Sequence, residues 1–144
     1  MNQIPTVVAV TGASGQIGSR LLKNLEDDSS ILRTLAIDTQ PIAVPFNNAS
    51  LQRLNITQPL DSTFLQSRVN IVVHLAFESE FRQDRNSING AHVSNRLGMK
   101  SVLNACKAAG IKKIIYLSSH TVYGARKNNQ IPITEKMDPM PQKN

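Results

Sequence analysis

Strand-length apolar runs alternating with amphipathic helical stretches, a glycine-punctuated turn after the first run, and an acidic residue closing the second predict an α/β fold. Such a pattern implies a parallel sheet with helices on both faces, because parallel neighbours need crossover connections. Of the 144 residues 40% are apolar and 18% charged. That balance suits one globular domain able to bury a core rather than a disordered chain.

The first run, "TVVAV" at 6–10, is β-branched and stops just before Gly12, as a strand buried on both faces does. From about Ser14 to Leu25, the residues Ile17, Leu21, Leu22 and Leu25 fall on one helical face. "LRTLAID" at 32–38 is the second strand and completes a βαβ unit. After a Pro- and Asn-containing loop over 40–50, "LQRLNIT" (51–57) predicts a third strand and "PLDSTFLQS" (59–67) a short helix. "VNIVVHLA" (69–76) is the clearest buried strand. Met99, Val102, Leu103, Cys106 and Ala109 then share the apolar face of a long helix that Gly110 stops. "IKKIIYLSS" (111–119) is the next strand, with Tyr116 expected in the core. From Ala125 onward three prolines and little periodicity predict a loop.

Composition narrows the function classes. The single cysteine, Cys106, excludes an intrachain disulfide and a cysteine-based zinc cage, and a reducing cytoplasm is the expected compartment. No run approaches the roughly 18 apolar residues of a membrane span, so no membrane partner is expected. The amino terminus carries no basic leader and is expected to begin directly with structure. A formal charge of +6 would suit nucleic acid, but the basic residues are scattered and no aromatics interleave with them, which argues against that partner. His74 is expected to pack in its strand, and His92 and His120 stand at no metal-ligand spacing, so no metal is expected. Asp27 and Asp28 close the first helix in solvent. Glu78 and Glu80 follow the fourth strand, where a cleft would open.

The turn "TGASGQIG" places glycines at 12, 15 and 18 between the first strand and the first helix, and Asp38 ends the next strand twenty positions after Gly18. A bare three-glycine pattern is weak; in this context each part has a physical task. Gly12 permits a tight turn, Gly15 lets the backbone approach a pyrophosphate, and Gly18 lets helix and strand pack closely. Ser14, Gln16 and Ile17 belong to the helix amino terminus, whose unpaired N–H groups and partial positive charge attract phosphate. Asp38 can accept hydrogen bonds from the adenosine ribose hydroxyls and would repel a ribose 2′-phosphate. Neither Thr39 nor Gln40 offers a compensating charge, so NAD is expected as the cofactor in preference to NADP. The alternative is a glycine-rich turn without a ligand.

These motifs, with "VVHLA", "NRLGMKSVLNACKAAGIKKIIYLSS" and "SSHTVYG" following in order, resemble the extended short-chain dehydrogenase/reductase family, the group of NAD-dependent epimerases and dehydratases. The resemblance covers nearly the whole chain and implies a Rossmann-type doubly wound parallel sheet, incomplete at the carboxyl end. It implies that Leu75 and Ala76 line the middle of the cofactor, that Asn95 steadies the site, and that Ser118 lies beside the cofactor. Ser119 matches the serine that hydrogen-bonds the reacting substrate oxygen. Asn55 and Ile56 stand where the family has an acidic residue facing adenine, and an amide oxygen there is expected to accept from the adenine amino group. Met99 and Ser101 replace the family's usual threonine and asparagine.

In this family the resemblance further implies a catalytic tyrosine, with a lysine four residues on, about twenty-five residues past the serine. That count reaches the end of the chain. "YGARK" at 123–127 has the right offset but falls where the family has a turn. The expectation is therefore a cofactor-binding unit over 1–124 and a Pro-rich loop over 125–144 leading toward a catalytic and substrate-binding portion outside this sequence. The function implied is hydride transfer on a nucleotide sugar or similar hydroxyl compound, with a homodimer in the complete protein. A non-catalytic cofactor sensor and a basic nucleic-acid-binding domain are the rival readings.

Overall fold

The computed structural model describes residues 5–42, 46–78 and 85–141. Strands β1 (Thr6–Thr11), β2 (Ile31–Asp38), β3 (Ala49–Arg53), β4 (Ile71–His74) and β5 (Lys113–Tyr116) form one sheet in the order β3-β2-β1-β4-β5. Every pairing is parallel. Helices α1 (Gln16–Glu26), α2 (Asp61–Gln66) and α3 (Arg85–Ala108) supply connections, and a 3₁₀ turn spans His120–Tyr123. The strand order reverses at β1, so the crossovers leaving β1 and β4 diverge and a crevice opens at their carboxyl ends.

Alternation along β1 divides the core. Val7 and Ala9 join Leu35, Ile37 and Val72 on the face covered by Phe64 of α2 and by Val102, Ala105 and Cys106 of α3. Val8 and Val10 join Ala36 and Val73 on the opposite face, under Leu22 of α1. The doubly wound arrangement expected from the alternation of strands and helices is thus present. Cys106 is buried, and that burial pushes its thiol up, as suits a packing residue.

The end of α3 shows why Gly110 stops it. Gly110 has a φ of 66°; its N–H donates to the Lys107 carbonyl and the Ile111 N–H to the Cys106 carbonyl. This is a Schellman closure, with Ile111 folded back onto the core.

Four expectations are corrected. Helix α1 begins at Gln16 rather than Ser14, because Gly15 is extended and its N–H returns to the Gly12 carbonyl. Strand β3 starts two residues and ends four residues earlier than its apolar run suggests: Ala49–Arg53 pair with Thr34–Asp38, and Leu54 and Ile56 pack against the core from the loop that follows. Leu103 is 48% exposed, and Ala105 takes its place in the core beside the expected Val102 and Cys106. Tyr116 is 48% exposed rather than buried. Among the described residues β5 pairs only with β4, so burial on it depends on cover that a central strand gets from both neighbours.

Residues 125–141 carry turns but no helix or strand, as expected for a loop. Among the described residues no helix is long and apolar enough to cross a membrane.

Candidate functional site

A cleft of about 260 Å³ lies at the carboxyl ends of β1, β2 and β4, and the expected residues Gly12, Ser14, Gly15, Asp38, Asn55, Ile56, Leu75, Ala76 and Asn95 line it. Ile37, Thr39, Leu54, Phe77, Glu78 and Ser94 complete the wall. Gln16 and Ile17 sit exposed on the first turn of α1, and Gly18 is buried beneath the turn. Ser118 and Ser119 follow β5 and are outside the lining. Glu80 lies outside the described residues.

Gly12 and Gly18 are required by distance. Gly12 has a φ of 70°, and a Cβ there would stand 2.6 Å from the Ala76 nitrogen and 2.8 Å from the Leu75 carbonyl carbon. A Cβ on Gly18 would overlap the Gly12 carbonyl oxygen and the Ala13 backbone. At Gly15 a Cβ would meet only the Gly12 oxygen, at 3.2 Å, so the demand for glycine there comes from no contact within the protein. Gly15 caps α1 without a side-chain hydrogen bond, and no acidic residue occupies the first turn. The amino-terminal N–H groups of α1 therefore offer donors and positive dipole to an anion.

Asp38 is held by backbone donors: the Ser14 N–H reaches Oδ2 at 3.0 Å and the Gln40 N–H reaches Oδ1 at 2.9 Å. Burial pushes its carboxyl up, but the bonds accepted from Gln40, Ser14 and Thr39 outweigh this and hold it below the ordinary carboxylate range. Each carboxylate oxygen can accept a further bond. Arg53, its register partner on β3, donates to the Thr39 carbonyl at 3.2 Å and brings close by a cation that neither Thr39 nor Gln40 supplies.

Asn55 corrects an expectation. Its Oδ1 accepts from both the N–H and the hydroxyl of Thr57, each at 3.0 Å, so the amide oxygen is committed to a local turn. What remains is the Nδ2 donor. Asn95 is tied to the segment after β4: its amide accepts from the Glu78 N–H at 2.8 Å and donates to the Glu78 carbonyl at 2.9 Å. The β4–α3 wall, Glu78 included, is thereby clasped to α3.

The feature that sequence reasoning missed is a buried latch between β1 and β4. Thr11 Oγ1 lies 2.6 Å from His74 Nδ1 and accepts from the Ala76 N–H at 3.3 Å. Thr11 is fully buried, and donation of its hydroxyl proton to Nδ1 would assign His74 as the Nε2–H tautomer. Burial pushes the His74 imidazole down, and the Tyr116 ring stacks on it at 5.7 Å. A His kept neutral in the fold but free to charge when unfolded stabilises the chain fully above its ordinary value of about 6.5 and progressively less below it. We expect urea denaturation at pH 7.5 and 5.5 to show a loss with acidification of up to about 1.4 kcal/mol per pH unit from this group, abolished in His74→Phe.

Ser119 caps the 3₁₀ turn, its Oγ accepting from the N–H and hydroxyl of Thr121. With both lone pairs engaged, its own O–H is left to donate. Tyr123 ends that turn and Gly124, at a φ of 68°, redirects the chain. Tyr123 and Lys127 therefore do not share a helical face.

Comparison with known proteins gives a consistent result. A family model described as "NAD dependent epimerase/dehydratase family" matches residues 8–144. The chain is 31% identical to the UDP-glucose 4-epimerase of Azospirillum brasilense, over 93% of its own length and 39% of that protein. It is 29% identical to the dTDP-D-glucose 4,6-dehydratase of Dictyostelium discoideum, over 82% of its own length and 30% of that protein. Its fold is similar to that of the Bordetella bronchiseptica enzyme WbmG, solved with NAD and UDP, at a TM-score of 0.80 and 21% identity, over 96% of this chain and 45% of that one. The chain spans less than half the length of each of these proteins.

Proposed function

Because this chain belongs to the NAD dependent epimerase/dehydratase family, we propose that its cleft binds NAD and that it forms the cofactor-holding portion of an enzyme acting on a nucleotide sugar or a similar hydroxyl compound. The observation that carries this reading is the Gly12–Gly18 turn: two positions admit no Cβ, and the helix behind them is uncapped. A pyrophosphate suits the donors of that uncapped helix end. Asp38, fixed by Ser14 and Gln40, is assigned to the adenosine ribose, and its charge selects against a 2′-phosphate. Leu75, Ala76 and the Asn95-braced Glu78 segment are assigned to the middle of the dinucleotide.

The bound nicotinamide would supply the hydride acceptor and donor for reaction at a carbinol carbon. Ser119, with its oxygen saturated by Thr121, is assigned to donate its proton to the substrate oxygen and orient it. We assign residues 1–124 to the cofactor-holding unit and 125–144 to the segment leading away from it.

The test is a thermal-shift titration with NAD and, separately, NADP. A ligand bound only by the folded state stabilises by about 2.7 kcal/mol at a hundredfold excess over Kd, a rise of several degrees for a domain of this size. Saturable stabilisation by NAD, with a weaker response to NADP, is expected. A folded sample whose transition neither cofactor moves would overturn the reading.

A further inference from the structure

The turn and Asp38 order the cleft from phosphate to ribose along β1 and β2, so the base of a dinucleotide continues toward β3, where Leu54, Asn55 and Ile56 form the end of the lining. Two of these residues are apolar and supply faces; Asn55 supplies the one side-chain group there that can read the base edge by hydrogen bonding. Its orientation is fixed by chemistry: the Thr57 backbone N–H can only donate, so the amide atom facing it is the oxygen. The Thr57 hydroxyl takes the second lone pair.

Resting on the cofactor reading above, we propose that Asn55 is a specificity-determining residue that presents an N–H₂ donor to the purine edge. The base slot then cannot accept from the exocyclic amino group of adenine and discriminates weakly between a 6-amino and a 6-oxo purine. A carboxylate at the same position would keep one oxygen on Thr57 and offer the other to that amino group, while repelling a 6-oxo oxygen. The change from Asn to Asp preserves the shape and the local turn, so it isolates the donor-to-acceptor switch.

The experiment measures the affinities of NAD and nicotinamide hypoxanthine dinucleotide, by calorimetric titration, for the unaltered chain and for Asn55→Asp. The unaltered chain is expected to bind the two within about threefold of one another, since a solvent-exposed hydrogen bond contributes little. In Asn55→Asp the ratio is expected to move about tenfold toward NAD, the scale of a hydrogen bond to a charged group. A tenfold or greater preference for NAD in the unaltered chain, or an unchanged ratio in the variant, overturns the proposal. If neither dinucleotide binds the unaltered chain, the cofactor reading itself fails and takes the proposal with it. Should Asn55→Asp not fold, Asn55→Ser, which retains an acceptor for the Thr57 N–H, is expected to leave the ratio within about threefold; a larger shift overturns the proposal.

Discussion

Gly12→Ala abolishes the stabilisation by NAD and lowers the chain's own stability by roughly 2–5 kcal/mol, the combined scale of a strained positive φ and of overpacking. The overlap is with backbone: a methyl group would stand 2.6 Å from the Ala76 nitrogen, and no rotamer change relieves it. Either the turn opens, moving the helix amino terminus away from its phosphate position, or the β4 end is pushed aside, moving the cofactor wall. Urea denaturation reads the loss of stability and a thermal-shift titration with NAD reads the loss of the cofactor response. A variant that keeps the NAD response at unaltered stability would show that the turn tolerates a side chain and would remove the main support for the site. Gly15→Ala is the internal contrast, because its Cβ meets only one atom, at 3.2 Å.

Thr11→Val costs about 2–4 kcal/mol and weakens NAD binding at a position that does not line the cleft. The substitution keeps the shape and removes one oxygen, leaving His74 Nδ1 and the Ala76 N–H without their shared partner, at about 1–3 kcal/mol for the buried imidazole nitrogen and less for the half-buried Ala76 N–H. Thr11→Ser restores the hydroxyl and is expected to recover most of the loss. The double variant Thr11→Val/His74→Phe removes both side-chain polar partners, so the two changes are expected to cost at least about 1 kcal/mol less together than the sum of the singles. Strict additivity in urea denaturation would mean that the two side chains are not coupled.

The parts of the fold that were legible in the sequence are those whose signal is local. The buried runs of β1, β2 and β4 are apolar because both faces of a central parallel strand are covered, and Gly12, Gly18 and Gly110 mark places where a side chain or an ordinary φ does not fit. Strand β3 was misplaced because Leu54 and Ile56 are apolar for packing from a loop, and an apolar run does not say which of its residues carry ladder hydrogen bonds. Tyr116 was misjudged because burial at a sheet edge is set by neighbours far away in sequence. The Thr11–His74 contact joins residues 63 apart, and nothing in either local segment announces it. The commitment of Asn55 is legible locally, because an Asn side chain commonly accepts from the backbone N–H two residues on, here that of Thr57.

The unequal cover of the sheet also sets where the molecule breathes. Strand β5, bonded on one side among the described residues and with Ile114, Ile115 and Tyr116 all more than a third exposed, has less apolar cover over its amides than β1, which lies between β2 and β4 with its interior side chains sealed. Opening free energies within one domain range from near zero to the global value, and these two strands stand toward opposite ends of that range. In this chain amide exchange is therefore expected to be faster along β5, which leads to Ser118 and Ser119, than along β1, which leads to the glycine turn.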